Sequence, residues 1–356
     1  METISDGVLN QTDDYNYETY DYVQEEDERR TSQIIWLCIF YSVVLVVGLL
    51  GNILLVIILA QKRRSWKVLD SFILQLGVVD ILLLLTLPVW AAQPCENCPN
   101  TLFAICRAVF NINFYIGIFL LVCIALVYYL TTSHAAWFSH HGAKLAFFSC
   151  LLVWLVSSLL TGLDWWFLEP EKDSPQGKAI CAQKFGVNWL LGLRLLHLSV
   201  GFLLPVALFV ILFSLVWRRQ QSSGAKCIQK MRPILIILVL MGVFLVCWIP
   251  YNIALIADII CYSSQDVFST FLESLKTALT VTSAIGCSNA CLRPLLYFLL
   301  YGKFRRRTLN FFKCDTSGHQ SSLWELSVGE TAPCDQNQAA EEQKEMLHVE
   351  DLSTIK

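Results

Sequence analysis

The sequence predicts an all-α membrane protein, a bundle of seven membrane-spanning helices, and three observations carry that prediction. Of 356 residues, 55% are hydrophobic and only 15% charged, too little charge to cover a soluble surface of this size. The mean hydropathy is correspondingly high, at +0.54. The apolar residues gather into seven runs, each long enough for a hydrocarbon core about 30 Å thick, which roughly 20 helical residues cross. Lys and Arg concentrate in alternate connections, as they do when positive charge is kept on one side of a membrane. Helix is the form these runs must take, because lipid offers no partner to a loose backbone N–H.

The first run, 34–60, is apolar throughout and carries Gly51-Asn52. The second, 68–92, holds Asp80 at the end of LQLGVVD (74–80) and finishes on TLPVW (86–90). The third, 108–133, contains NINFYIG (111–117) and, near its end, Val127-Tyr128-Tyr129. Trp154 sits in the middle of the fourth, 145–163. The fifth, 195–217, holds His197 and Pro205; the sixth, 233–257, holds CWIPY (247–251). The seventh, 277–300, contains CLRPLLY (291–297), an arginine directly before a proline in a stretch otherwise nearly free of charge.

Lys62, Arg63, Arg64 and Lys67 follow the first run, Arg218, Arg219, Lys226, Lys230 and Arg232 the fifth, and Lys303, Arg305, Arg306, Arg307 and Lys313 the seventh. The second, fourth and sixth connections are richer in acid, notably Glu169, Glu171 and Asp173. The N-terminus is therefore expected outside and the C-terminus inside. The opening METISDGVLN has neither a basic nor an apolar signal region, so the first run is expected to act as its own insertion signal. No inverted repeat of the transporter kind is visible.

Four regions follow: an acidic, tyrosine-rich outer arm (1–32), the helical domain (33–300), a short amphipathic helix on the inner surface (301–314), and a disordered cytoplasmic tail (315–356). Cys314 reads either as a palmitoylation site or as a plain cytosolic cysteine. Residues 13–28, DDYNYETYDYVQEEDE, hold eight acids, four tyrosines and no base. Two readings stand side by side: a solvated, disordered tail, or an arm that captures a basic extracellular protein by long-range attraction. Tyr15, Tyr17, Tyr20 and Tyr22 are sulfation candidates, and Asn10-Gln11-Thr12 is an N-glycosylation acceptor.

Six of the 14 cysteines lie inside the runs, as small apolar residues. Topology leaves Cys95, Cys98, Cys106, Cys181 and Cys261 near the outer face. A disulfide between Cys106, at the outer end of the third span, and Cys181, in the second outer loop, is the expected pairing in an oxidising compartment; two separate thiols are the alternative. CENC (95–98) reads as a local disulfide or half of a metal site, and Cys261 is the odd cysteine.

Taken in order, Gly51-Asn52, Asp80, Trp154, Pro205 and CWIPY resemble the markers of the rhodopsin-like G-protein-coupled receptors. TLPVW, NINFYIG, the acidic arm and the short basic third inner loop resemble those of chemokine receptors, in particular the CXC chemokine receptor type 3 branch. The resemblance spans roughly residues 35–312. It implies a plasma-membrane receptor that takes a basic CXC-type chemokine, cycles to endosomes, and engages arrestin and, in conventional members, G proteins. No cofactor and no nucleic acid are implied. By position, the ligand set is Tyr15, Tyr17, Tyr20 and Tyr22 of the arm with Tyr41, Trp90, Phe110, Tyr251, Asp258, Glu273 and Ser283. The switch residues are Asp80, Val127, Tyr128, Tyr129, Trp248, Arg293, Pro294 and Tyr297.

Two departures bear on function. Val127-Tyr128-Tyr129 stand where the family has Asp-Arg-Tyr, and Arg293 stands where it has the Asn of Asn-Pro-x-x-Tyr. Phe213 replaces a tyrosine of the fifth helix, and the arm lacks the cysteine that would partner Cys261. Arg293 is expected either to pair with Asp80, in place of the sodium ion the family commonly binds there, or to extend to the inner water. The altered switch suggests an atypical receptor that takes up ligand with little G-protein coupling; a conventional signalling receptor is the alternative. Thr316, Ser317, Ser321, Ser322, Ser327 and Thr331 are phosphorylation candidates for arrestin recruitment.

Other classes meet obstacles. A retinal protein needs a lysine inside the seventh span, and the nearest, Lys276, lies at its edge. A hydrolase needs a nucleophile facing a base; His197 is the histidine within a span, and it reads as a polar packing residue.

Overall fold

The computed structural model describes residues 17–61, 68–92, 100–167, 187–222, 228–263 and 269–300. Among them are seven helices long and apolar enough to cross a membrane. These are Tyr17–Gln61, Val68–Ala91, Asn100–Ser133, Ala135–Phe167, a fifth span built from three consecutive segments, Ile228–Ser263 and Ser269–Leu300. Below they are called the first to seventh spans, and the end at which the third span begins is called the upper end.

All the helices but the second extend beyond their apolar runs. The first begins at Tyr17, so 17–28 are helical; that part of the acidic stretch is not the disordered tail that was one of its two readings. A helix that has already paid its nucleation cost in the span propagates outward one hydrogen bond per residue. The side chains of Tyr17, Tyr20, Tyr22, Cys261 and Glu273 are outside the described set, as are residues 1–16, with Asn10 and Tyr15. Cys95, Cys98 and Cys181, the inner-surface helix at 301–314 and the tail with Cys314 are outside it as well.

The fifth span starts as an α-helix at Val187–Leu196, widens to a π-helix over His197–Leu203, and resumes as an α-helix at Leu204–Ser222. Leu204 N–H reaches back five residues to Ser199 O. The next residue, Pro205, has no N–H to give, so the wider register precedes a position where the α-helical ladder is interrupted in any case.

The first and last spans meet in the bundle. The first span packs on the second and seventh, the third on the second, fourth and fifth, and the sixth on the seventh. Large apolar side chains face outward along the spans, among them Val46, Leu50, Leu85, Phe147, Leu155, Val246 and Leu299. That is the surface expected of helices whose solvent is lipid.

Small residues set the closest approaches. A Cβ on Gly51 would stand 2.7 Å from Cγ of Pro294, and one on Gly48 would stand 2.7 Å from a methyl of Leu84. In the seventh span Pro294 withholds an N–H from the carbonyl of Ala290, four residues earlier. The side-chain amide of Asn52 donates to that carbonyl at 2.8 Å. The Gly-Asn of the first span is thus shaped to the proline of the seventh. In the second span Pro88 likewise withholds an N–H from the carbonyl of Leu84, and one residue before it, at Leu83 O, the hydroxyl of Thr86 donates at 2.7 Å.

Candidate functional site

Two polar or aromatic layers occupy the bundle, one above the other. The lower layer is charged. Arg293 and Asp80 are buried, with side chains 3% and 1% exposed. Nη1 of Arg293 donates to Oδ1 of Asp80 at 2.7 Å and to Oδ2 at 2.9 Å. The arginine therefore pairs across the bundle and does not extend to the inner water. Nδ2 of Asn113 donates to the same Oδ1 at 2.8 Å, so the carboxylate joins the second, third and seventh spans.

Room for the guanidinium comes from the third span. A Cβ on Gly117 would lie 2.7 Å from Nη2 of Arg293 and 3.1 Å from the ring of Phe244. Gly117 was visible in the sequence only as the last letter of NINFYIG. Its role required knowing which helix faces Arg293. Tyr297 is 1% exposed, one turn below. Val127 and Tyr128 are also buried, at 4% and 6%. Tyr129 is half-buried, with its ring edge-on to His134 at 6.3 Å.

The upper layer is aromatic and rests on Trp248, which is fully buried. Phe110 lies 5.0 Å from Trp248, 5.3 Å from Tyr251 and 5.7 Å from Trp90, measured between ring centres in tilted or edge-on arrangements. Such offset pairs are each worth about 0.5–1.5 kcal/mol beyond their burial. Gly286 faces the six-membered ring of Trp248, where a Cβ would stand at 3.2 Å. Tyr41 is buried beside Ser283, whose hydroxyl donates to Thr280 O at 2.8 Å. Asp258 is half-buried at the upper end of the sixth span and is felt electrostatically by Tyr251. The predicted ligand residues Trp90, Phe110 and Tyr251 therefore lie together, with Asp258 two turns beyond Tyr251 on the sixth span and with Tyr41 and Ser283 as a neighbouring pair between the first and seventh spans.

Side by side with them is a polar group whose members the sequence showed separately, without showing that they meet. The hydroxyl of Tyr115 is hydrogen-bonded to Nδ1 of His197 at 2.7 Å. The imidazole also stacks on Phe114, 4.9 Å between centres. His197 is thus a packing residue with a satisfied ring nitrogen, as its solitary position suggested. Nδ2 of Asn111 donates to Oδ2 of Asp164 at 2.7 Å, and Nε of Arg107 stands 4.0 Å from the same oxygen. Trp154 donates to Gln75 Oε1 at 2.7 Å and ties the fourth span to the second. Phe213 packs on the core and stacks with Trp217 at 6.1 Å.

Cys106 is buried at the start of the third span, and its expected partner Cys181 is outside the described residues. Among the described residues, no group of three or more His, Cys, Asp or Glu is placed to hold a metal.

The family model "7 transmembrane receptor (rhodopsin family)" matches residues 51–297. The chain is 34% identical over 295 residues to C-X-C chemokine receptor type 3 of Capra hircus, covering 80% of each chain. It is 33% identical over 273 residues to the type 3 receptor of Homo sapiens, 75% of this chain and 73% of that one. C-X-C chemokine receptor type 2 of Gorilla gorilla gorilla is also 33% identical, over 277 residues, 75% of this chain and 76% of that one. These relatives are multi-pass membrane receptors and not enzymes. With seven spanning helices in the order that its sequence markers require, the chain belongs to the rhodopsin family of seven-transmembrane receptors, within which its relatives are C-X-C chemokine receptors.

Proposed function

We propose that the protein is an atypical chemokine receptor of the plasma membrane. It binds a basic CXC-type chemokine outside, couples weakly or not at all to G proteins, and removes its ligand by uptake through endosomes. The observation that carries the reading is the Arg293–Asp80–Asn113 cluster, which joins three spans through one buried charge pair.

A buried ion pair resists separation. Pulling the partners apart leaves an uncompensated charge in a medium that cannot solvate it, at a cost of about 3–5 kcal/mol. That corresponds to about two to four orders of magnitude in population against any state that parts the seventh span from the second. Val127 and Tyr128 add to the same side of the balance. Without the Asp-Arg pair of conventional receptors, the inner end of the third span offers no arginine to an incoming partner. The upper layer keeps the aromatic residues and Asp258 of the ligand set, so ligand capture is retained while transmission is hindered. The acidic arm supplies long-range attraction for a basic ligand, and the Ser and Thr of the tail supply phosphorylation sites through which arrestin can be engaged.

A conventional signalling receptor is the second reading, favoured by Trp248, Pro294 and Tyr297, which stand at their family positions and are buried. The deciding experiment measures inhibitory G-protein activation in cells first shown to internalise a labelled CXC chemokine. Uptake without activation is the expected result. Activation should then be gained by combining Val127→Asp and Tyr128→Arg with Arg293→Asn. Full activation by the unaltered chain would overturn the reading.

A further inference from the structure

His134 alone separates the third helix from the fourth, which starts at Ala135, about three turns before its apolar run opens at 145. Trp137, His141, Lys144 and Phe148 recur every three or four residues and so share one face. All four are exposed, and the same face continues through Leu151 and Leu155, exposed as well. It therefore looks onto lipid along the span, and its first two turns reach the headgroup layer on the lipid side. The sequence places no acid between Ser133 and Leu163. His140 is exposed beside His141. Nη2 of Arg219 donates to Ser133 O at 3.5 Å and brings the exposed, basic end of the fifth span to the start of the fourth helix. This lower end is the one whose connections carry the Lys and Arg, the cytosolic end by the positive-inside rule.

We propose that this face binds the phosphomonoester headgroup of an inner-leaflet phosphoinositide, with Lys144 and His141 on the phosphate and Trp137 in the headgroup layer. The Trp137 and His141 rings are stacked, 4.9 Å between centres and 16° apart. Nδ1 of His141 lies 3.1 Å from Trp137 O. A carbonyl only accepts, so Nδ1 carries the hydrogen and Nε2 of the neutral ring is left to accept. Lys144, one turn on, brings an ammonium on a long apolar stem. The complementary group supplies negative charge to the lysine and a proton to Nε2. A phosphomonoester does both. Its second pKa is about 6, so near neutrality it still carries a proton in part. Passing that proton to Nε2 leaves a dianion between an imidazolium and an ammonium, with charge-assisted bonds to each. A phosphodiester has no such proton. From Lys144 out to Trp137 is about 10 Å along the helix, a depth that suits a phosphate borne on a sugar ring.

The test uses the full-length receptor in phosphatidylcholine nanodiscs that also hold phosphatidylinositol bisphosphate and phosphatidylserine at equal headgroup charge. Lipids retained through mild extraction are counted by native mass spectrometry. The unaltered receptor should retain the phosphoinositide about tenfold or more over phosphatidylserine, the scale of one charge-assisted contact. Lys144→Gln with His141→Gln should bring the two lipids to parity, whereas Lys144→Arg should keep the preference. All three side chains are exposed, so the double variant should melt as the unaltered receptor does in phosphatidylcholine alone; should it melt lower, the ratio is read from Lys144→Gln. Equal retention of the two lipids by the unaltered receptor overturns the proposal. So does a preference that survives the double variant and disappears with Arg305→Gln, Arg306→Gln and Arg307→Gln, which would place the lipid after the seventh span. A preference that appears only once the chain is cut after Lys313 would show that the acidic tail covers this face, and would overturn it too. Displacement of the lipid by soluble inositol trisphosphate at equal concentration would mean a site for a free headgroup, against the membrane source.

Discussion

The amide of Asn52 reaches from the first span to the carbonyl of Ala290 in the seventh, at 2.8 Å, and supplies the hydrogen bond that Pro294 cannot give. Loss of Asn52 would leave a buried carbonyl without a donor, at about 1–3 kcal/mol. Asn52→Ala should therefore lower the thermal stability of the purified receptor. In a Pro294→Ala background the backbone N–H returns, and the same substitution should cost much less. Equal losses in the two backgrounds would show that Asn52 matters for another reason.

The charge pair of the lower layer makes a sharper prediction. Arg293→Gln or Asp80→Asn alone leaves one buried charge unmatched and should destabilise by about 3–5 kcal/mol. The double substitution leaves none, and it should be more stable than either single change. A thermal-shift series on the four proteins gives the coupling directly. Additive losses would mean that the two groups do not interact.

Gly117 belongs to the same cluster through space alone. Gly117→Ala places a methyl 2.7 Å from Nη2 of Arg293, and overpacking of this kind costs about 1–3 kcal/mol. The loss should shrink when Arg293 is first replaced by Asn, whose shorter side chain vacates the position. If it does not, Phe244 at 3.1 Å is the neighbour that objects.

In the upper half, Tyr115→Phe removes the hydroxyl bonded to His197 and should cost about 1–2 kcal/mol while keeping the ring contacts. Gly201→Ala should be worse, because its Cβ would come within 2.5 Å of the Tyr115 ring. Chemokine uptake normalised to surface receptor, measured beside stability, will show whether this linkage of the third and fifth spans also shapes the ligand layer. An uptake defect in Tyr115→Phe at unchanged stability would assign it a ligand role instead of a structural one.

The seven spans and their order were legible in the sequence because crossing lipid is a local demand: each helix must satisfy its own backbone and present apolar side chains. The pairing of Arg293 with Asp80 was legible too, by scarcity, since charges deep inside spans are few and each is costly alone. What the sequence left open was the rotation of each helix about its axis, and the tertiary structure decided it. That rotation brings Asn113 to Asp80, turns the bare face of Gly117 toward a guanidinium, and sets Asn52 under Pro294. It also settles the span ends. The apolar runs stop at 163 and restart at 195, so Asp164 and Arg194 fell just outside them, where water would be expected to solvate a charge. The helices continue through both positions, and packing against the third and sixth spans half-buries Asp164 and buries Arg194, where a linear reading leaves both at the edge.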